Sequence, residues 1–200
     1  MKDKTSSLLV WHDGQVGRVE REALLEQTPL TIWFTGLSAA GKSTLAYALE
    51  RELVNAGRAC YVLDGDNVRH GLSRNLGFSP EDRTENIRRI AEVARLMNDA
   101  GLIVLAAFIS PYRVDRAMAR DIIGADVFRE VHVSTSLAVC EARDPKGLYS
   151  RARSGTVAEF TGVSSPYEPP VAPHLALDTG VLSMQDALAL LKASMGLKAA

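Results

Sequence analysis

Gly36-Leu37-Ser38-Ala39-Ala40-Gly41-Lys42-Ser43 is the stretch on which the fold turns: two glycines with four residues between them, then a lysine and a serine. Upstream, Leu30-Thr31-Ile32-Trp33-Phe34-Thr35 reads as a strand buried on both faces, and downstream Thr44 to Glu50 reads as a helix. A glycine-bearing turn between strand and helix aims backbone N–H groups and the positive end of a helix dipole at a polyphosphate. In this pattern residues 36–44 cradle a nucleoside triphosphate, ATP being the usual one. Lys42 reaches the β- and γ-phosphates, and Ser43 offers its hydroxyl to Mg²⁺.

Outward from this loop the chain alternates short apolar runs with helical periodicity. The candidate strands are 30–35, 59–63, 102–108, 128–133 and 174–177, rich in Val, Ile, Leu or Phe without polar alternation. Strands buried on both faces between helices define a three-layer, doubly wound, mainly parallel five-stranded α/β fold. The clearest helix is 80–99. Ser79 stands ready to cap it, Pro80 suits its first turn, and Ile87, Ile90, Ala91, Ala94 and Met97 recur as one apolar stripe. Arg83, Asn86 and Arg89 fall on its other faces, where they can point at a ligand. Residues 1–29 read as an N-terminal arm with a short helical pattern from Arg18 to Glu26, and 30–200 as the kinase-like domain. Within it, 144–173 has few aliphatics and five prolines, the composition of a functional lid.

The 200 residues are 46% hydrophobic and 24% charged, with net charge −1. A near-neutral balance excludes the basic footprint of a nucleic-acid binder. Local clusters (Arg69, Arg74, Arg83, Arg88 and Arg89, then Lys146, Arg151 and Arg153) suit a small anionic substrate. Cys60 and Cys140 are far apart and in no metal-ligand spacing, so each reads as packing in a reducing compartment. The N-terminus lacks a signal-peptide core, and the longest apolar run, 102–109, is too short to cross a bilayer. These features predict a cytoplasmic protein with no membrane partner. His70, His132 and His174 show no ligand spacing and read as structural.

Chemistry is expected where the second strand ends, at Asp64-Gly65-Asp66-Asn67, because ligands of parallel sheets sit beyond the carboxyl ends of the strands. Phosphoryl transfer to a hydroxyl needs a carboxylate to take or orient its proton, and Mg²⁺ needs carboxylate support. Asp64 and Asp66 are the candidates, Asp64 with Ser43 toward the metal and Asp66 toward the acceptor. The third strand ends Phe108-Ile109-Ser110-Pro111 without an aspartate, which disfavours a switch GTPase or an ATPase motor. Three readings stay open on the residues alone: this kinase type with an aromatic acceptor, a kinase for another small metabolite, and a nucleotide-binding module without activity.

Four stretches carry a resemblance: Asp64 to Asn86 (DGDNVRHGLSRNLGFSPEDRTEN), Phe108 to Arg116 (FISPYRVDR), Arg143 to Tyr149 (RDPKGLY) and Phe160 to Glu168 (FTGVSSPYE). They closely resemble the adenylylsulfate kinases over about Trp11 to Gly180. The resemblance implies MgATP-dependent phosphorylation of the 3′-hydroxyl of adenosine 5′-phosphosulfate, a homodimer and a mobile lid, with a sulfurylase as a possible partner. It implies that Arg69, Arg83 and Asn86 hold the substrate's phosphosulfate and ribose, that Phe78 and Phe160 sandwich its adenine, and that Ile109 and Ser110 line the acceptor site. It further implies that Arg143 stacks near the ATP base and that Lys146 is a lid cation near the phosphates. Ser110 matches a serine assigned as a phosphoserine intermediate. On its own residues, before Pro111 and a helical pattern, it reads as a positioning N-cap. Two positions depart from the family pattern: Ala39 replaces a common glycine, and Ser150 a common lysine, for which Arg151 and Arg153 are the nearby substitutes.

Overall fold

The central strand β1 (Leu30–Thr35) is buried at every position, and its side chains alternate between two cores. Ile32 and Phe34 face one helical layer, Trp33 the other. The computed structural model describes residues 9, 10 and 12–197; Trp11, where the family resemblance begins, and the chain's first eight residues lie outside them. After β1 come α2 (Lys42–Asn55), β2 (Cys60–Asp64), the short α3 (Gly65–Arg69), α4 (Pro80–Asp99), β3 (Ile103–Ala107), α5 (Arg113–Ile123) and β4 (Phe128–Val133). α6 (Leu137–Arg143), α7 (Leu148–Arg153), β5 (Leu175–Leu177) and α8 (Met184–Ser194) complete the chain, and α1 (Arg18–Leu25) precedes β1. The sheet is parallel throughout in the order β2-β3-β1-β4-β5.

α2 and α8 cover one face through Leu45, Leu49, Leu53, Leu188 and Leu191. α4 and α5 cover the other through Ile87, Ile90, Ala94, Ala119 and Ile123, packed on Trp33 and Phe128. Each large apolar side chain so enclosed contributes about 1.5–3 kcal/mol, enough for two complete cores in one domain. α4 begins as its sequence dictates, with Ser79 Oγ accepting from the Asp82 amide at 3.2 Å. The root of the sheet is tied by Gln27, whose Nε2 donates to Gly101 O (2.7 Å) and Ala59 O (2.9 Å) while its Oε1 accepts from the Ala59 amide. All five expected strands are found within a residue or two.

The 144–173 segment is not uniformly irregular. It contains α7, whose Tyr149 and Ala152 are buried against the main core, a helix of six residues that is too short to leave a periodic stripe. Cys60 and Cys140 are unpaired thiols, and both are pushed above the usual thiol range by burial. Among the described residues no helix is long and apolar enough to cross a membrane.

Candidate active site

A cavity of about 920 Å³ opens along the carboxyl ends of the strands, lined by the loops after β1, β2, β3 and β5 and roofed by residues 143–148 and 160–161. The loop after β1 keeps its shape for steric reasons. A Cβ on Gly36 would lie 2.5 Å from Val133 O, and Gly36 and Gly41 both sit at positive φ. Ala39 also holds a positive φ of 59°, a conformation costing an L residue about 1–2 kcal/mol. Its neighbours fix it: Arg143 Nη1 donates to Ala39 O (3.3 Å), and Thr135 and Thr179 hydroxyls to Ala40 O (3.2 and 2.8 Å).

Lys42 is only 8% exposed and points along the loop, Nζ donating to Gly36 O (3.0 Å) and Leu37 O (2.6 Å). Burial pulls its ammonium down to about 8, although Asp64 and Asp66 act in the opposite sense. Ser43 Oγ donates to Asp64 Oδ2 at 2.6 Å. Asp64 Oδ1 caps α3, accepting from the amides of Asp66 (3.0 Å) and Asn67 (3.3 Å). The Ser43 hydroxyl and Asp64 carboxylate thus form a pair of hard oxygen donors at one spot, which fits Mg²⁺ completed by nucleotide phosphates and water.

Asp66 differs from Asp64. It stands exposed on the cavity wall, and its carboxylate is ion-paired with Lys146 of the roof. Two further clasps hold the roof down: Tyr149 OH donates to Ser38 O (3.0 Å), and Arg143 Nη1 and Nη2 donate to Thr179 Oγ1 (2.8 Å) and O (2.6 Å).

On the opposite side Phe78 is 63% exposed, with the Arg69 guanidinium 4.4 Å from its ring centroid, so one face is taken and the other is open. Phe160 is 9% exposed and meets Tyr149 edge to face at 5.0 Å. Arg83 bonds to Phe78 O (2.8 Å) and Thr161 Oγ1 (2.6 Å) in the cavity wall, and to Glu159 O. Asn86 is buried in the same wall, and its Oδ1 has no partner within the protein, an acceptor left for a ligand. Ser38, Ala39 and Gly41 to Thr44 of the phosphate loop, with Asp64, Asp66, Arg69, Phe78, Arg83, Asn86, Ile109, Ser110, Arg143, Lys146 and Phe160, therefore border one cavity, whereas Gly36, Leu37 and Ala40 of the loop do not line it.

Two expectations need correction. Arg89 does not reach the cavity; Glu85, Leu72 O and Asn75 hold it on the outer surface. Ser110 is not an N-cap: α5 begins at Arg113 after Tyr112, which gives no side-chain cap. Ser110 instead sits buried at φ 40°, its Oγ accepting from Trp33 Nε1 (3.1 Å) and lying 3.4 Å from Phe108 O. Of the histidines assigned to structure, His174 Nδ1 accepts from the Glu130 amide (3.1 Å) and His132 stacks on Tyr167, whereas His70 is exposed at the end of α3. Thr179 escaped the sequence reading, although Asp178-Thr179-Gly180 follows the fifth strand, at the end where ligands gather.

A parallel sheet with a phosphate loop, a serine–aspartate oxygen pair and a second, aromatic- and arginine-lined half-cavity defines a phosphate-loop kinase of small molecules. Comparison with known proteins narrows the class. The model of the adenylylsulphate kinase family matches residues 28–178, and the chain belongs to that family. The adenylyl-sulfate kinase of Shewanella denitrificans is 61% identical over 171 residues, 86% of this chain and 83% of that one. The Vibrio cholerae adenylyl-sulfate kinase is 55% identical over 188 residues, 94% and 87% of the two chains. Among solved structures, the Mycobacterium tuberculosis APS kinase in complex with AMPPNP and APS superposes with a TM-score of 0.81 at 46% identity, covering 84% of this chain and 98% of that one.

Proposed function

We propose that this chain transfers the γ-phosphoryl group of ATP to the 3′-hydroxyl of adenosine 5′-phosphosulfate, giving 3′-phosphoadenosine 5′-phosphosulfate and ADP for sulfate assimilation. The observation that carries the reading is one cavity lined at once by the phosphate loop, Asp66, and the rings of Phe78 and Phe160. A nucleotide acceptor offers an aromatic base and a multiply charged tail, and the second half supplies rings for the first and arginines for the second.

Catalysis then rests on positioning and electrostatics. The loop amides and Lys42 hold the triphosphate. Lys42 leaves its contacts with Gly36 O and Leu37 O to follow charge developing on the γ-phosphoryl group. Ser43 and Asp64 would hold Mg²⁺, which would supply positive charge against the triphosphate. Lys146 exchanges Asp66 for phosphate oxygens, and Asp66, so released, accepts the proton of the attacking hydroxyl. Support for Asp66 over Asp64 is that Asp64 is already committed to Ser43 and two amides. Arg143 borders the ATP side, beside Thr179 and Met184. The segment 144–173 serves as a lid, and the active form is a homodimer, to be checked by light scattering; co-elution with a sulfurylase tests that association.

The deciding experiment is ADP release with adenosine 5′-phosphosulfate compared with nucleoside monophosphates as acceptors. Turnover specific to the sulfated nucleotide is expected. Equal use of the monophosphates overturns the acceptor assignment, and no ATP consumption with any acceptor favours a binding module.

A further inference from the structure

The loop after β3 floors the acceptor half of the cavity, and its middle residue, Ser110, holds a left-handed conformation that favours glycine. Such a conformation persists at a serine only where its surroundings over-determine it. Trp33 fixes the hydroxyl, and Thr35 Oγ1 donates to Ile109 O at 2.7 Å. The main constraint is Arg116. Its side chain is 3% exposed and does not line the cavity. Each of its nitrogens donates inward: Nη1 to Ser110 O (2.7 Å), Nη2 to Glu168 O (2.7 Å) and Nε to Glu130 Oε1 (2.6 Å). A guanidinium so engaged, with its charge matched by Glu130, is not available to bind an anion.

Glu168 is where the chain returns from the roof. Its amide donates to Pro111 O (2.9 Å), and its Oε2 accepts from the Arg113 amide (2.7 Å). We propose that Arg116 is a positioning residue for the phosphoryl acceptor: one buried guanidinium fixes the strained floor of the acceptor subsite at Ser110 and the root of the lid at Glu168. This rests on the reading that this half-cavity receives adenosine 5′-phosphosulfate. A lysine cannot replace the planar fork, because one ammonium cannot reach three divergent acceptors.

Arg116→Lys in the full chain tests the proposal in two ways. Hydrogen exchange needs no substrate: the amides of Ile109, Ser110, Tyr112 and Arg113, and of Tyr167 and Glu168, should exchange at least about tenfold faster, while residues 36–44 keep their protection. In steady state the KM for adenosine 5′-phosphosulfate should rise about tenfold or more, with the KM for ATP within about twofold of wild type. Unchanged exchange in both segments overturns the proposal. So does a loss of protection spread equally over β1, β4 and the phosphate loop, the mark of plain destabilisation. If exchange changes as stated but the wild-type enzyme does not use adenosine 5′-phosphosulfate, the positioning role stands and the acceptor assignment falls. Should Arg116→Lys not fold, Glu130→Gln frees the same guanidinium from its charge partner and should loosen the same two segments about threefold; no change there overturns the proposal equally.

Discussion

Ser43 and Asp64 are joined by a 2.6 Å hydrogen bond from hydroxyl to carboxylate, across the ends of two strands that are not neighbours in the sheet. The other oxygen of Asp64 is spent on the first turn of α3. On the proposed function the carboxylate braces the metal side of the cavity, and Asp66, two residues on and paired with Lys146, is the one that meets a substrate. The two aspartates of Asp-Gly-Asp thus have different partners.

Asp66→Asn should therefore lower turnover by at least about a hundredfold, the lower range for loss of a general base, with ATP affinity within about twofold. Asp64→Asn should act differently, weakening MgATP binding while leaving stability nearly unchanged, because asparagine caps a helix as well as aspartate does. Paired turnover and ATP titration distinguish the two; unchanged turnover in Asp66→Asn removes its role as base.

Lys42 gives a pH dependence with a definite sign. Burial lowers its pKa from 10.5 to about 8, so the free enzyme loses this cation as pH rises through that value. A bound triphosphate favours the charged form, so binding above about pH 8 takes up a proton, and ATP affinity falls toward tenfold per pH unit. Calorimetry in two buffers of different ionisation enthalpy checks this. No proton uptake at about pH 8.5 contradicts it.

The same burial fixes a stability consequence. A lysine whose folded pKa lies below its unfolded value weakens folding fully below about pH 8 and not at all above 10.5. Lys42→Met should hold or raise the Tm at pH 7 while reducing turnover by at least about a hundredfold. A clear fall in Tm would show that the bonds to Gly36 O and Leu37 O outweigh the cost of burying the charge.

Phe78→Ala and Phe160→Ala should each weaken acceptor binding by about 1–3 kcal/mol and leave ATP nearly untouched. Their melts should differ. Phe78 is mostly exposed, so its loss barely moves Tm, whereas Phe160 is packed on Tyr149 and its removal costs about 3–5 kcal/mol. Equal weakening of ATP reassigns the rings.

Ser110→Ala should keep much of the activity, with γ-phosphoryl transfer inverting configuration as for one direct displacement. The stability loss, about 1–3 kcal/mol, comes from the buried Trp33 N–H left without an acceptor. A folded but inactive alanine variant with net retention would instead establish a phosphoserine route.

What the sequence disclosed followed from period and local chemistry. Leu30 to Thr35 is apolar on both faces because both faces are covered, and Ser79-Pro80 fixes a helix start regardless of tertiary context. The family motifs named the residues that share the cavity. Hidden were features made by contacts across the chain: Arg116 joining residues 110, 130 and 168, Thr179 supporting Ala40, and Arg89 diverted to Glu85. Ser110 before Pro111 reads as a cap because capping chemistry is local; its backbone is held by Arg116 together with Trp33, which lies 77 residues away and outside any short window.

The roof touches both halves of the cavity at once. Tyr149 and Arg143 grip carbonyls of the phosphate loop, while Thr161 and Glu159 grip Arg83 on the acceptor side. Anything that draws Lys146 away from Asp66, or Arg83 away from Thr161, changes the freedom of one shared wall. Any dependence of the affinity for one substrate on the other that passes through this wall is equal in both directions, by thermodynamic reciprocity.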